Sequence, residues 1–531
     1  KKAISLDPKR KDFYHSLASA YLPLQNLPEA IDFFKKAISL DPKYFRSYFS
    51  LGNVYNVMGD QANALLYYQK AQEADPKNEN VYAPLAYQLN YACDWDGAER
   101  IKSKVKKAIS SAVEARELMS ETPFSNIVSD ENPSQNLKIA KLWSSWIEDK
   151  AQTFRNHLEF PARKTKNKRI RVGYVSNNFK YAATAQNIVG VLENHDKKRF
   201  EIYAYSIGKD DKSIYRKRIK KTVDHFIDIT SLSHEETAKR IYKDKIDVLV
   251  DLKGYTGGSR IFIFALKPAP VQVNYLGFIG SMGAGFMDYF IADPVTVPQD
   301  HKKYFTEKVI YLPDTYWPTD NKMQIAKTKY KKSDLAIPRN AFVFGSFNSN
   351  YKIDPLIFSS WVKILKSVPE SVLLILKNSD LSEKNLRGEA KKHAIGSKRL
   401  FFVKPIPKDE HLARLRDLVD LHLDTRIVNG HTTTTDCLWA EVPVITILGK
   451  HFASRVSASM LKAIGLPELV TKNLKEYEKL AIDLATNSEK LKNIKDKLTR
   501  NKLSKPLFDT EGYTRNLEEA YISVVKGADR S

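Results

Sequence analysis

The chain has 531 residues, 43% hydrophobic and 11% aromatic, which provides for two to four packed domains and excludes wholesale disorder; apolar runs such as 372–376 stop far short of the ~20 residues of a membrane span. Two cysteines, Cys93 and Cys437, exclude a disulfide framework or a cysteine zinc cluster and fit a reducing, cytoplasmic setting. The 85 Lys and Arg against 62 Asp and Glu leave a net charge of +23, but the cations spread along the whole chain, and the densest run, RKTKNKRIR at 163–171, has no interleaved aromatics, so it reads as a solvated linker and not as a nucleic-acid site.

The first predicted elements are repeats. KKAISLDPK stands at 1–9 and again at 35–43, a shift of 34 residues. The same shift relates Asp7-Pro8, Asp41-Pro42 and Asp75-Pro76; Leu17, Leu51 and Leu85; Ala30, Ala64 and Ala98; and Tyr14, Tyr48 and Tyr82. Phe34 and Tyr68 share the large position of the second helix. Small residues where two helices touch, a large one beside them and Pro at the turn describe a helix–turn–helix hairpin. One hairpin cannot bury its own apolar face, so neighbours must stack into a superhelix with a concave groove. The pattern resembles the tetratricopeptide repeat (TPR) and is expected over 1–112. The third copy drifts after Ala98, where Lys102 takes the aromatic's place. Lys1 falls in the tail of an earlier hairpin, so further chain is expected upstream.

Residues 113–168 read as a helical linker: helices, a loop at 122–133, then the basic run. From Arg169 the periodicity changes. Short apolar, β-rich runs at 170–176, 200–206, 246–252, 271–276 and 287–292 alternate with amphipathic stretches. A second series follows at 342–347, 372–376, 400–403, 419–423 and 444–448. This alternation predicts βαβ units and parallel sheets: two Rossmann-like domains, 169–330 and 331–531, facing a cleft, with ligands at the strands' carboxyl ends. GYVSNNF follows the first strand in place of G-x-G-x-x-G, and no Walker sequence is present, which argues against a dinucleotide oxidoreductase and a P-loop nucleotidase.

Three segments carry chemistry. NGHTTTTDCL at 429–438 puts Gly430, His431 and four threonines at a predicted helix start, where free amides, the helix dipole and hydroxyls suit a diphosphate; Asp436, one turn in, is placed for ribose hydroxyls. GSFNSNYKIDP at 345–355 puts Lys352 between a strand's carboxyl end and a helix, a fixed cation suited to a leaving diphosphate. PIPKDEHLAR at 405–414 spaces Lys408, His411 and Arg414 on one side of a helix, which suits a base and phosphates and equally suits a solvated helix face. Asp94-Trp95-Asp96 imitates a D-x-D metal clamp but lies in a repeat turn, so no metal site is expected.

These motifs, with GYTGGSR (254–260), LKPAPVQVNYLGFIGSMG (266–283) and ASRVSASML (453–461), resemble the protein O-GlcNAc transferase/SPINDLY family, in which TPRs are fused to a two-domain GT-B glycosyltransferase. The resemblance implies inverting, metal-independent transfer of GlcNAc from UDP-GlcNAc to Ser or Thr of proteins, with no cofactor and with acceptors held by the repeat groove. By motif match, Lys352 is the catalytic group at the donor diphosphate. Thr432 and Thr433 hold the phosphates with His431 beside them, Asp436 takes the ribose, and Lys408, His411 and Arg414 take the nucleotide. Ser349 stands where animal enzymes carry glutamine. Thr184, Tyr255, Leu276 and Gly277 line the sugar and acceptor side.

One departure stands out. After VGYVS the family usually reads S/A-D-F-x-x-H; here the Asp and His positions are Asn178 and Ala182, and a second nearby His position is Gln186. Three alternatives stand beside this reading: GDP-fucose-dependent O-fucosyl transfer, as in the SPINDLY branch, which resembles this chain in the four-threonine run but usually lacks the equivalent of His431; transfer of another hexose, or to an unknown acceptor; and a weakly active or inactive repeat scaffold, which Asn178 and Ala182 alone favour.

Overall fold

In the computed structural model, residues 2–22, 26–158, 160–161 and 167–528 are described; positions 163–166 of the expected linker lie outside them. The chain separates into two compact units, Lys1–Glu121 with Ser349–Asp354 and Lys377–Glu389, and Thr122–Asn348 with Pro355–Leu376 and Ala390–Ser531.

The first unit contains α1 (Lys2–Leu6), α2 (Lys11–Tyr21), α3 (Leu27–Leu40), α4 (Phe45–Met58), α5 (Gln61–Ala74), α6 (Tyr82–Tyr91) and α7 (Trp95–Ala115). They pair as α2–α3, α4–α5 and α6–α7, and the pairs stack through α3–α4 and α5–α6. The 34-residue period is also a hydrogen-bond period. The Tyr14 hydroxyl donates to the Pro8 carbonyl at 3.0 Å, and Tyr82 repeats the bond to Pro76 at 2.5 Å. A Cβ at Gly52 would come within 2.6 Å of the Tyr68 ring, so a residue without a side chain is what lets these helices close. Ala30, Phe34, Leu51 and Ala64 are fully buried at the hairpin contacts, each large apolar side chain worth about 1.5–3 kcal/mol. Asp94 accepts the Gly97 amide at 2.9 Å, so the D-x-D look-alike is a helix cap.

The second unit opens with α8 (Pro123–Ser129) and α9 (Pro133–Arg155). The loop expected at 122–133 is thus corrected: Thr122 and Ser125 cap one another's backbone amides with Pro123 at the first helical position, and that is enough to start a short helix. A seven-stranded parallel sheet follows, β1 (Ile170–Ser176), β2 (Phe200–Ser206), β3 (His225–Asp228), β4 (Val248–Asp251), β5 (Val271–Asn274), β6 (Tyr289–Ala292) and β7 (Lys308–Tyr311), in the order β3-β2-β1-β4-β5-β6-β7. Its helices are α10 (Ala183–Asn194), α11 (Ile214–Thr222), α12 (His234–Lys243) and α13 (Phe262–Ala265).

A six-stranded parallel sheet comes next, β8 (Phe342–Ser346), β9 (Ser371–Leu376), β10 (Leu400–Val403), β11 (Leu421–Leu423), β12 (Val444–Ile447) and β13 (Val470–Thr471), in the order β10-β9-β8-β11-β12-β13. With it come α14 (Pro355–Ser367), α15 (Asp380–Lys392), α16 (Lys408–Leu418), α17 (Thr432–Trp439), α18 (Val456–Ala463), α19 (Leu474–Thr486), α20 (Ser488–Asn501) and α21 (Thr510–Ala528). The central strands are buried on both faces, which explains their unbroken apolar runs. Two placements differ from the expected division at 330/331. Helix α21 returns to the first sheet, where the Tyr521 hydroxyl meets that of Tyr174 at 3.2 Å and Glu518 meets His195 Nδ1 at 2.9 Å. The segments 349–354 and 377–389 group with the repeats.

Candidate active site

In each sheet the strand order reverses once, at β1/β4 and at β8/β11. Loops leaving the carboxyl ends of such a pair diverge and open a crevice. The loop after β11 is organised by Asp424, which is almost fully buried. Its carboxylate accepts from the Gly430 amide at 2.6 Å, the Thr425 amide at 2.8 Å, the Asn348 side chain at 3.1 Å and the Thr446 hydroxyl at 2.7 Å. A Cβ at Gly430 would lie 2.4 Å from Thr434 Oγ1, so only glycine lets the loop turn this tightly into α17.

The four threonines then divide. Thr434 meets Ser457 Oγ at 2.7 Å, while Thr435 donates to the His431 carbonyl at 3.2 Å and accepts from Trp317 Nε1 at 2.9 Å. Those two are buried and structural. Thr432 and Thr433 are half-buried at the helix start, and His431 packs on the Trp317 ring at 5.3 Å. Thr432 Oγ1 also accepts from Asn187 Nδ2, on α10, at 2.9 Å. The start of the first domain's α10 therefore faces the start of the second domain's α17.

Helix α16 completes this side. Lys408 Nζ pairs with the Asp436 carboxylate; burial raises the Asp436 pKa and Lys408 opposes the rise. Arg414 Nη2 meets His411 Nδ1 at 3.1 Å, and Phe347 packs against both. Burial, then Arg414 and Lys408, hold His411 down to about 3, and burial brings Arg414 down to about 10. His411 is therefore a neutral imidazole beside an aromatic ring, able to meet a base, while the neighbouring cations suit phosphate. Tyr181, from the first domain, accepts from the Lys408 backbone amide at 2.6 Å.

The opposite wall comes from β1, β4 and β5. Asn178 Nδ2 donates to Thr184 Oγ1 at 3.2 Å, and Ala182 caps α10 without a side-chain hydrogen bond. Leu276 has φ of 67°, and a Cβ on Gly277 would lie 2.0 Å from the Leu252 carbonyl oxygen; the pair turns the chain at a backbone crossing that admits no side chain. The Tyr255 hydroxyl donates to the Met282 carbonyl at 2.8 Å. At the end of β4, burial pushes Asp251 up to about 6 and Lys253 down to about 8.

A model described as Glycosyl transferase family 41 matches residues 92–335 and 322–517. The chain belongs to glycosyl transferase family 41. TPR models match 20–59 and 45–78. A probable UDP-N-acetylglucosamine–peptide N-acetylglucosaminyltransferase SEC of Arabidopsis thaliana is 34% identical over 83% of this chain and 46% of its own length. A probable SPINDLY of the same plant is 31% identical over 67% of this chain and 39% of its own length. The chain thus spans about half the length of the curated relatives it matches, or less. A lysine-to-methionine mutant of the Thermobaculum terrenum O-GlcNAc transferase matches all of this chain and 93% of that one, at 25% identity and a TM-score of 0.73. Helical repeats followed by paired Rossmann-like domains are the GT-B arrangement expected from the family motifs.

Of the family residues expected at the site, His431, Thr432, Thr433, Asp436, Lys408, His411 and Arg414 gather around the starts of α16 and α17. Thr184 stands at the start of α10, and Leu276 and Gly277 follow β5. Lys352 and Ser349 lie in the first compact unit, in the turn between β8 and α14, where Lys352 is 9% exposed. Asn348, Asp424, Asn187, Tyr181, Asp251 and Lys253 also stand here and were not expected from the sequence. Asp251 had a signal, as an acid closing an apolar strand at the reversal point. Among the described residues no helix is long and apolar enough to cross a membrane.

Proposed function

We propose that the chain is a protein O-glycosyltransferase that moves GlcNAc from UDP-GlcNAc to Ser or Thr of protein acceptors, with inversion and without a metal. The observation that carries this is the facing of α10 and α17 through Asn187 and Thr432, beside a base-and-phosphate cluster on α16. In the reaction the acceptor Oγ forms a bond to the anomeric carbon from the face opposite UDP. The carbon–phosphate-oxygen bond breaks and its electron pair leaves on UDP, while the hydroxyl proton passes to a base or to water. Thr432, Thr433 and the α17 amides hold the phosphates; Lys408, Asp436, His411 and Arg414 hold the nucleoside end. Lys352 neutralises the charge that grows on the departing diphosphate. Acceptor proteins lie in the repeat groove. Asn178 and Ala182 favour a second reading, a slow transferase or a nucleotide-binding scaffold.

Calorimetric titration with UDP, GDP and their sugars tests the donor. UDP-GlcNAc should bind in the presence of EDTA and be turned over, whereas preference for GDP-fucose would redirect the assignment to fucosyl transfer. The variant with both Thr432→Ala and Thr433→Ala should bind UDP more than roughly tenfold more weakly, since two hydrogen bonds to charged phosphate at about 1.5–3 kcal/mol each are lost. Wild-type UDP affinity in that folded variant rejects the phosphate site, and activity abolished by EDTA rejects the metal-free mechanism.

A further inference from the structure

We infer that the last repeat hairpin positions Lys352: Tyr87 and Tyr91 grip Tyr351, and Tyr351 fixes the turn from which Lys352 projects. This rests on the proposed role of Lys352 at the departing diphosphate. Tyr87 and Tyr91 are one turn apart on α6 and so share a face. Their ring centroids are 6.4 Å apart, and the Tyr351 ring lies 6.1 Å from each, within the range at which aromatic pairs attract. The three rings therefore form a closed triangle, two of them from the repeat and one from the residue next to Lys352.

Backbone contacts hold the same turn. Beyond α6 the chain bends at Cys93, with φ of 53°, and brings the thiol to 3.9 Å from the Asn350 carbonyl oxygen. The Asn350 amide donates to Asn378 Oδ1 at 2.9 Å, and Asn385 Nδ2 donates to the Ala92 carbonyl at 2.9 Å. The end of α6, the lysine turn and the segment 377–389 are thereby joined into one body. The Lys352 amide donates to the Ser349 carbonyl at 3.0 Å, closing the turn. A lysine is a point charge on a flexible four-carbon stem, so its useful position depends on how firmly its backbone is held. A shift of about 1 Å at a catalytic group can cost on the order of 10²-fold in rate. Tyr87, Tyr91 and Tyr351 are on this account positioning residues, acting through Lys352 without touching the donor.

The test is a kinetic cycle on the full chain, with single-turnover rates measured at excess enzyme so that slow variants remain measurable. Tyr351→Ala, and Tyr87→Ala combined with Tyr91→Ala, should each lower the transfer rate roughly tenfold or more, with donor KM and UDP affinity unchanged. Tyr351→Phe should recover most of the rate, because the ring is kept. In a Lys352→Met background, Tyr351→Ala should add little, since both changes remove the same interaction. If Lys352→Met is slow while Tyr351→Ala is as fast as wild type, the inference fails and the role of Lys352 stands. Multiplying losses in the double variant, or a parallel loss of UDP affinity, also overturn it. If Lys352→Met keeps the wild-type rate, the proposed role of Lys352 is what fails, and the inference falls with it.

Discussion

A buried histidine stays neutral here because its surroundings forbid its charge. His411 is held near pH 3 by burial and by Arg414 and Lys408, against about 6.5 in an unfolded chain. Below about 6.5 the unfolded state takes up a proton that the folded state refuses. The neutral ring's contribution to stability is therefore complete above that pH and is lost progressively as pH falls toward 3. The His411 ring signals in NMR should be unchanged from pH 8 to 5, and a midpoint near 6.5 would show that the imidazole is solvated. Asn178 and Ala182 are a different case, since both stand before α10, on the side where the proposed reaction would handle the acceptor proton. Asn178→Asp keeps the size of the side chain and can accept the Thr184 hydroxyl that Asn178 now donates to, at the start of α10 where a negative charge is favoured. Together with Ala182→His it should raise transfer at least roughly tenfold, part of the 10²–10⁴ that a positioned base contributes, with UDP affinity unchanged. Brisk wild-type turnover that the reversion fails to improve would remove both positions from proton transfer. The placing of His431, Thr432 and Thr433 at a helix start was legible because such a start advertises itself in sequence. Asp424 was not, because its partners Asn348, Gly430 and Thr446 converge only after β8, β11 and β12 align.

Elements were legible in proportion to their burial. The inner strands β1 and β2 run between the residues expected from their apolar runs, as does the edge strand β10 with its LFFV run, whereas β3, β7 and β13 escaped notice. The first two carry partly exposed or polar residues and β13 has only two residues, so none presents an apolar run. Helix α8 escaped because its start depends on a two-residue cap and not on periodicity. Helix α21 was legible as a helix but not as a partner of the first sheet, since nothing local in a sequence records where a terminal helix returns. Its anchor is Glu518, which is 2% exposed, accepts from the Asp196 amide at 2.8 Å and faces the buried His195. Glu518→Ala should lower stability by roughly 1–3 kcal/mol for each buried donor left unpaired. A urea midpoint equal to wild type would show that α21 is held by its tyrosines alone.

At the scale of the whole molecule, the repeats and the lysine turn cannot be separated at the boundary that periodicity suggests. Residues 349–354 and 377–389 belong to the repeat unit although they interrupt the second sheet's sequence, and Tyr351 packs on α6 within that unit. On the proposed reading, a deletion of 1–112 therefore removes two things at once, the acceptor groove and the support of Lys352. A deletion ending at Asp75, before the Pro76 turn, removes only the first, because α6 and α7 remain. The new end exposes Leu85 and Leu89 of α6, a local cost in a stack whose stability is summed between neighbours. We expect both truncations to bind UDP as wild type does, since the proposed phosphate and nucleoside contacts lie on α16 and α17. Both should lose transfer to protein acceptors. On a short peptide, which gains little from the groove, the shorter deletion should keep the wild-type rate while deletion of 1–112 slows it roughly tenfold or more, as expected for a displaced catalytic cation. Initial rates on a protein and a peptide acceptor, with calorimetry of UDP as the control, separate these outcomes. Equal peptide rates for the two truncations would mean that the last hairpin gives the lysine turn no support.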